Sequence, residues 1–192
     1  MKKLLPVCLL LLSLGSCTSD SDTDTDATEA TRPATQTPAE LKPAVPDSTQ
    51  NQKIYARYKR LTDRYKQQAY VPEKVYIGQP ATLQLNSHPD APKYKTALSK
   101  GLEKGANFAG SYAIVTVGCG TACQQNYVVN VRTGQVHDKV QSKEGAFYQP
   151  ESRIFIANPP DSTINYTNCV SCAPVIYLFE NEKFKMIASD TL

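Results

Sequence analysis

The sequence has no tryptophan, only six cysteines, and a single apolar run long enough to consider as a membrane segment. Six cysteines in 192 residues are too few for a miniprotein held together mainly by disulfides. The apolar run covers residues 4–14, whereas a helix needs about 17 apolar residues to span a bilayer. A membrane protein with several spans is therefore excluded. Hydrophobic residues at 41% and charged residues at 20% also exclude a fully disordered chain.

The first 16 residues have the composition of a signal peptide. Two lysines precede the apolar run, and Leu14-Gly15-Ser16 leads directly to Cys17. This order resembles the lipobox of bacterial lipoproteins, in which small residues precede a cysteine that becomes the lipidated N-terminus. The resemblance implies palmitate-type acyl chains on Cys17 and an outer-membrane lipoprotein that faces the periplasm or the cell surface. The alternative is an ordinary secretory signal that happens to contain a cysteine.

Residues 18–50 have the composition of a tether. Asp alternates with Ser or Thr from residue 20 to residue 26, and four prolines follow without apolar periodicity. Such a segment cannot bury enough apolar surface to offset the entropy lost on ordering. We therefore predict a signal peptide at 1–16, a disordered tether at 17–50 and a single folded domain at 51–192. The acidic run resembles a surface-export signal of some bacterial lipoproteins, and a soluble spacer is the alternative.

The charges of the tether and the folded domain have opposite sign. The tether has seven acidic and two basic residues, whereas residues 51–192 have 17 basic and 11 acidic residues. The positive excess is concentrated near the start of the domain, at Lys53, Arg57, Lys59, Arg60, Arg64 and Lys66. A basic stripe can face an anionic envelope polymer, and a solvated helix face is the simpler interpretation. Nucleic acid is not expected as a partner, because no aromatic and basic RNA-binding motif is present.

Two helices are predicted at the start of the domain. The first, at residues 51–68, has apolar residues at helical spacing: Ile54, Tyr58, Leu61 and Tyr65. The second is predicted to begin near Asp90 and Pro92 and to end at Gly105, with its own apolar face: Tyr94, Ala97, Leu98 and Leu102. Between them, the alternation of residues 81–85 predicts a short strand.

From residue 110 onward the pattern is that of β-strands. Apolar or alternating segments predict strands at 112–117, at 127–131, from Val136, and at 153–157, 175–179 and 184–187. The connections at 132–134 and 180–183 are short, which favours antiparallel pairing of successive strands. Two helices followed by strands predict an α+β fold, in which the two N-terminal helices pack on an antiparallel β-meander.

Four cysteines remain after the signal and the lipidated residue are set aside: Cys119, Cys123, Cys169 and Cys172. An exported protein with an even number of thiols usually oxidises them, so two disulfides are predicted. Three connectivities are open. Chain entropy favours long bridges, whereas the rigid Gly-Cys-Gly turn around Cys119 favours local closure.

Three kinds of chemistry compete with structural disulfides. The Cys169-Val170-Ser171-Cys172 segment has the spacing of a redox dithiol, but Pro174 and a strand follow it instead of a helix that would lower a thiol pKa. Two close cysteine pairs could bind zinc, although the gap between them is longer than a usual ribbon loop. Cys–His peptidases of the cell wall carry an Asp-Cys-Ser-Gly turn that is absent here. We assign no catalytic residue, no metal site and no cofactor.

Three short motifs resemble a group of small exported bacterial domains to which we assign no activity. They are Asn107-Phe108-Ala109-Gly110-Ser111-Tyr112, Gly118-Cys119-Gly120-Thr121-Ala122-Cys123-Gln124 and Gly134-Gln135-Val136. The resemblance covers residues 90–189, and its cysteine turn is its most specific part. In that group a tryptophan often precedes the Gly-Cys-Gly sequence, whereas this chain has Val117.

The cysteine turn at residues 118–124 is where we predict binding. Its glycines let the backbone adopt unusual angles or approach a partner closely. Thr121 and Gln124 present polar side chains on that frame, and a stapled hairpin without a ligand is the alternative. Ser111 and Tyr112 start the preceding strand and are expected at its far end.

Together these features predict a lipid-anchored envelope protein that acts as a binding or accessory module. Its expected partners are the membrane, through the lipid on Cys17, and an unknown protein or envelope polymer. The alternative is an envelope enzyme, either a thiol–disulfide oxidoreductase or a hydrolase.

Overall fold

A computed structural model describes residues 48–67 and 74–190. Its helices are α1 (Ser48–Lys66) and α2 (Lys95–Leu102), and its strands are β1 (Tyr112–Gly120), β2 (Cys123–Asn130), β3 (Val136–Ser142), β4 (Ala146–Phe147), β5 (Ile154–Ala157), β6 (Val175–Glu180) and β7 (Lys183–Ser189). The predicted signal peptide, Cys17 and residues 18–47 of the tether lie outside the described residues. Neither described helix is long and apolar enough to cross a bilayer.

The strands form two antiparallel sheets. Sheet A has the order β1-β2-β3, and sheet B has the order β4-β5-β6-β7. The α+β class is therefore confirmed. The expected single meander is wrong, because the chain leaves sheet A after Ser142 and turns through Gly145, which has a φ of 80°. Each sheet is a meander in its own right.

The two sheets pack face to face, with one helix on each outer surface. Alternation along the strands decides which side chains point to which neighbour. In β1, Ala113 and Val115 lie in one core cluster with α2, whereas Ile114 lies in the cluster between the sheets. In β5, Phe155 faces the region between the sheets, and Ile154 belongs to the cluster that includes residues of α1.

Helix α2 packs closely on sheet A because it contains a glycine. A Cβ atom at Gly101 would lie 2.5 Å from a methyl group of Val115, so a larger residue there would push the helix outward. Leu98 and Leu102 of the same helix are fully buried or nearly so. Burial of each such leucine stabilises the fold by about 1.5–3 kcal/mol relative to exposure.

The apolar stripe predicted for helix α1 packs against the rest of the domain. Ile54 and Tyr58 are buried against Tyr166 and Cys172 of the long loop before β6, whereas Leu61 and Tyr65 pack against sheet B. Of the basic residues on this helix, Arg57 pairs with Asp190 at 2.7 Å and Lys59 pairs with Asp63 at 2.5 Å.

Two local predictions are wrong, and one short strand was not predicted. Residues 81–85 form no strand. The backbone N–H groups of Ala81 and Gln84 instead donate to the carbonyls of Val131 and Gly134. The segment therefore runs along the β2–β3 turn without forming a ladder of β-sheet hydrogen bonds. Helix α2 begins at Lys95, since residues 89–94 form turns. The two-residue strand β4 had no signal in the sequence.

Candidate functional site

An open cleft of about 610 Å³ lies where the two sheets end side by side. We call it the arginine cleft. Its walls come from the segment before β1, the end of β2, the residue before β5 and the β6–β7 turn. The residues used in the argument below are Ser111, Tyr112, Arg132, Arg153, Glu180 and Glu182.

One wall is the Asn-Phe-Ala-Gly segment noted in the sequence. Ala109 and Gly110 have φ angles of 44° and 75°, which bend the chain sharply just before β1. The backbone N–H of Gly110 donates to the carbonyl of Pro150 at 2.7 Å, and its carbonyl accepts from Tyr76 at 2.7 Å. Hydrogen bonds on both sides of the turn make this wall a fixed part of the fold.

Two arginines border the cleft without a carboxylate partner. Arg132 donates through Nε to Ser111 Oγ at 3.1 Å, and its guanidinium lies 4.8 Å from the ring centroid of Tyr76. Arg153 has a buried Nε with no hydrogen-bond partner in the protein. Within the described residues, neither arginine forms a salt bridge.

The two glutamates of the cleft already have cationic or imidazole partners. Glu182 lies in the β6–β7 turn, with its Oε2 3.1 Å from Nδ1 of His137. Glu180 lies 3.7 Å from the ammonium group of Lys185. The cleft therefore offers two arginines without a carboxylate partner and two glutamates that already have partners.

His137 lies at a β-bulge of sheet A. The register between β2 and β3 shifts beside it, so His137 is the extra residue of a β-bulge. Bulges often re-aim a side chain next to a functional site. Both His137 and the following Asp138 belong to β3.

Tyr112 supplies an aromatic floor to the cleft. Its ring packs edge to face on Phe179, with centroids 4.8 Å apart. Burial raises the pKa of the Tyr112 hydroxyl, and the negative charge of Glu182 raises it further, whereas a hydrogen bond with Asn130 opposes the shift. The phenol is therefore neutral at physiological pH and can donate or accept a hydrogen bond.

The arrangement is suited to binding and lacks a nucleophile paired with a base. Among the described residues, no serine or cysteine side chain is hydrogen-bonded to a histidine ring. Ser111 accepts a hydrogen bond from Arg132, which does not activate it as a nucleophile. The guanidinium, hydroxyl and amide donors of the cleft are suited to binding an anionic group.

The predicted cysteine site lies at the opposite end of sheet A. Cys119–Cys123 and Cys169–Cys172 form the two disulfides, with Cα atoms 5.1 and 5.8 Å apart, so both bridges close locally. Cys119 is the extra residue of a bulge between β1 and β2.

Thr121 and Gln124 are not brought together around one cavity. Thr121 is exposed and lines a second cavity of about 560 Å³ between the two disulfide turns. Gln124 lies in β2, where its Oε1 accepts from Ser142 Oγ at 3.4 Å. Ser142 in turn bonds the fully buried Asn126, so Gln124 belongs to a polar network of sheet A.

One group of possible metal ligands exists in the described residues. The ligand atoms of Glu144, Cys169 and Cys172 lie within 4.8 Å of one another. Because the two sulfurs are bonded to each other, they are not free to bind a metal in this state.

Sequence reasoning missed the arginine cleft. Its residues come from segments that are far apart in sequence, and only the wall at residues 109–112 belongs to a motif found in the sequence. Arg132 was considered only as part of a turn, and Arg153 only as the start of a strand. No local pattern could show that they border one cleft, because sheet packing creates that proximity.

Comparison with known proteins gives no matching family model, no similar curated protein and no similar solved structure.

Proposed function

We propose that this chain is an outer-membrane lipoprotein, attached through acyl chains on Cys17, whose α+β domain binds an anionic ligand in the arginine cleft. The lipobox-like sequence before Cys17 supports the anchor. The tether then holds the domain away from the membrane surface. The ligand is a carboxylate or phosphate group carried by an envelope polymer or protein.

The binding proposal rests on one observation: an arginine of the cleft lacks a hydrogen-bond partner, whereas a glutamate of the cleft already has one. Arg153 has a buried, unpartnered Nε, whereas Glu182 already contacts His137. A buried donor without a partner costs about 1–3 kcal/mol. An anion that accepts from this nitrogen offsets the cost, and its charge complements the two arginines.

The cleft has room for more than a single ion. A volume of about 610 Å³ is within the range of small-molecule sites, which is about 300–1,000 Å³. The exposed guanidinium of Arg132 and the half-buried guanidinium of Arg153 can hold an anionic group, while Tyr112 and Phe179 offer apolar contact. The ligand class is therefore an anion joined to an apolar or sugar-like body.

Calorimetric titration with succinate and with inorganic phosphate at constant ionic strength tests the binding proposal. Arg153→Gln should weaken binding about tenfold or more, because a hydrogen bond to a charged group contributes about 1.5–3 kcal/mol. Arg64→Gln is the matched control, since it removes the same charge from an exposed position of α1. Equal weakening by both variants would show charge screening without a specific site.

Cell fractionation tests the anchor separately. The wild-type chain should fractionate with membranes, and Cys17→Ala should move the protein to the soluble fraction. If Cys17→Ala stays with the membranes, the attachment does not depend on this cysteine, and the anchor proposal fails while the cleft proposal stands.

A further inference from the structure

The second disulfide lies in an unusual environment for a purely structural bridge. Cys172 is only 2% exposed, whereas Cys169 is half-buried and the neighbouring Val170 is 77% exposed. One sulfur of the pair is thus close to solvent at the tip of a loop, and the other is enclosed. In a dithiol this asymmetry separates an attacking sulfur from a resolving sulfur.

A carboxylate lies against the enclosed sulfur. Oε1 of Glu144 is 3.3 Å from Sγ of Cys172 and 3.9 Å from Sγ of Cys169. The other disulfide lacks such a neighbour in the described part of the chain, where no side-chain hydrogen bond to the sulfur of Cys119 or Cys123 is found. Glu144 is therefore specific to the Cys169–Cys172 bridge.

The buried Asn158 connects the segment that carries Glu144 to the loop that carries Cys172. Asn158 Oδ1 accepts from the backbone N–H groups of Lys143 and Glu144 at 2.7 and 3.0 Å. Its Nδ2 donates to the carbonyls of Ser171 and Ala173 at 3.2 and 3.1 Å. These four contacts do not involve the sulfurs, so the loop can keep its position when the bridge opens.

The second cavity gives a partner access to this loop. Val170 and Ser171 line one side of the cavity, and Thr121 and Cys123 line the other. Its volume of about 560 Å³ is sufficient for a short extended segment that carries a cysteine.

We propose that Cys169–Cys172 is a reducible bridge that exchanges with a dithiol on an exported protein or peptide, with Glu144 as the group that gives a proton to Cys172 when the bridge opens and takes it back when the bridge closes. This activity is additional to ligand binding in the arginine cleft and uses none of its residues. The partner's dithiol is the reductant, and the bridge is the oxidant.

The exchange balances in two steps. A partner thiolate attacks Sγ of Cys169, the Cys169–Cys172 bond breaks, and Sγ of Cys172 leaves as a thiolate that takes up a proton relayed from solvent by Glu144. The partner's second thiol loses its proton and attacks the mixed disulfide, which releases Cys169 as a thiol after protonation by solvent. The partner gains one disulfide, and the chain gains two thiols.

The reverse reaction explains why a carboxylate is useful here. No helix begins at Cys172, since a loop and then β6 follow it, so no helix N-terminus stabilises a thiolate. Glu144 instead removes the proton from the Cys172 thiol as its sulfur attacks the mixed disulfide. A positioned base that removes the proton during the attack thus makes the thiol reactive without a lowered thiol pKa.

Equilibration with reduced and oxidised dithiothreitol, followed by alkylation and mass spectrometry, tests the bridge itself. Cys169–Cys172 should open at a ratio of reduced to oxidised dithiothreitol at least tenfold lower than Cys119–Cys123, because its thiols gain a hydrogen-bond acceptor. Both bridges constrain loops of similar length, with separations of 3 and 4 residues, so loop entropy does not favour either. Simultaneous opening, or earlier opening of Cys119–Cys123, would overturn the proposal.

The role of Glu144 is tested by its amide variant. The oxidised form of a peptide with two cysteines is added to the reduced protein, and the rate at which Cys172 resolves the mixed disulfide is measured between pH 6 and pH 8. Glu144→Gln keeps a hydrogen-bond acceptor but cannot take a proton, so resolution should slow about tenfold and should depend more steeply on pH. Glu151→Gln, at an exposed position, is the control. A rate for Glu144→Gln equal to or above that of the wild-type chain would eliminate Glu144 as the base.

Trapping distinguishes exchange from simple reduction. When the oxidised form of the peptide is added, the Cys169 thiol of Cys172→Ser should attack the peptide's disulfide and accumulate as a mixed disulfide, whereas Cys169→Ser should not. Succinate binding in the arginine cleft should be unchanged in both variants. Failure to trap with intact succinate binding would reject the exchange proposal and leave the binding proposal in place.

Discussion

The side chain of Asn107 forms a hydrogen-bonded pair with the backbone of Ile114. Its Oδ1 accepts from the Ile114 N–H at 2.7 Å, and its Nδ2 donates to the Ile114 carbonyl at 3.2 Å. The amide thus replaces a neighbouring strand at one residue of β1. This contact connects the turn before β1 to the strand itself and so helps to fix the wall of the arginine cleft.

Replacement of Asn107 should therefore destabilise the domain. Asn107→Ala leaves both Ile114 groups without partners, and we expect a loss of about 1–3 kcal/mol in the free energy of unfolding. Urea unfolding measures the change. Asn165→Ala is the control, because that side chain bonds only Thr167 within its own exposed turn, and its effect should stay within about 0.5 kcal/mol. Equal effects of the two variants would contradict the structural role.

The repeating patterns predicted most of the secondary structure. Helix α1 follows from four apolar residues at helical spacing, and the β6–β7 hairpin follows from two apolar runs around a polar turn. Both signals are local. The separation into two sheets was missed because the alternation that defines a strand does not identify the sheet to which it belongs.

The arginine cleft was missed for a different reason. The cysteine turn was noticed because unusual residues stand close together in sequence, whereas Arg132 and Arg153 are ordinary residues in ordinary positions. They share a cleft only because the end of β2 and the start of β5 lie on the same side of two packed sheets. Glu144 was missed likewise, since nothing in the sequence connects it with Cys172.

Gly134 should not tolerate a side chain. Its φ is 76°, and a Cβ atom would lie 1.9 Å from the carbonyl oxygen of Thr82. Gly134→Ala should cost about 1–3 kcal/mol through its backbone conformation alone, and displacement of residues 81–84 adds to that loss. Gly145→Ala is a matched control, because its φ is 80° and no atom lies within 4 Å of its Cβ position. Thermal unfolding should show a clearly larger loss for Gly134→Ala; equal losses would mean that the Thr82 contact is unimportant.

A buried polar cluster on the α2 side of sheet A predicts a pH dependence. The hydroxyl of the fully buried Tyr127 lies 2.8 Å from Oδ2 of Asp90, which also pairs with Lys139. His88 packs edge to face on Tyr127. Hydrogen bonds from Lys139 and then Tyr127 lower the pKa of Asp90, whereas burial raises the pKa of Tyr127 and lowers the pKa of His88.

Stability should fall as His88 becomes protonated. Because the folded protein holds its pKa below the ordinary value of about 6.5, the unfolded chain binds a proton more readily. The contribution of His88 is therefore complete above about pH 6.5 and is lost as the pH falls below that value. His88→Asn keeps an acceptor for the Asp90 N–H, and urea unfolding at pH 8, 6 and 5 should show a smaller decline for this variant. An unchanged decline would assign the acid sensitivity to other groups.

Thr121 and Gln124 should respond differently to truncation, although the sequence predicts a binding role for both. Gln124→Ala removes an acceptor from the Ser142–Asn126 network, so we expect a loss of about 0.5–1.5 kcal/mol in the free energy of unfolding. Thr121→Ala is an exposed change and should stay within about 0.5 kcal/mol.

Thr121 can still take part in binding, because it lines the cavity beside the Cys169–Cys172 loop. Thr121→Ala should therefore leave folding intact but alter the rate at which a dithiol peptide attacks the bridge. Thr167→Ala, at another exposed threonine outside that cavity, is the control for the rate measurement. If Thr121→Ala exchanges at the wild-type rate with every peptide tested, the Thr121 side chain does not contact the partner, and the predicted contact is wrong.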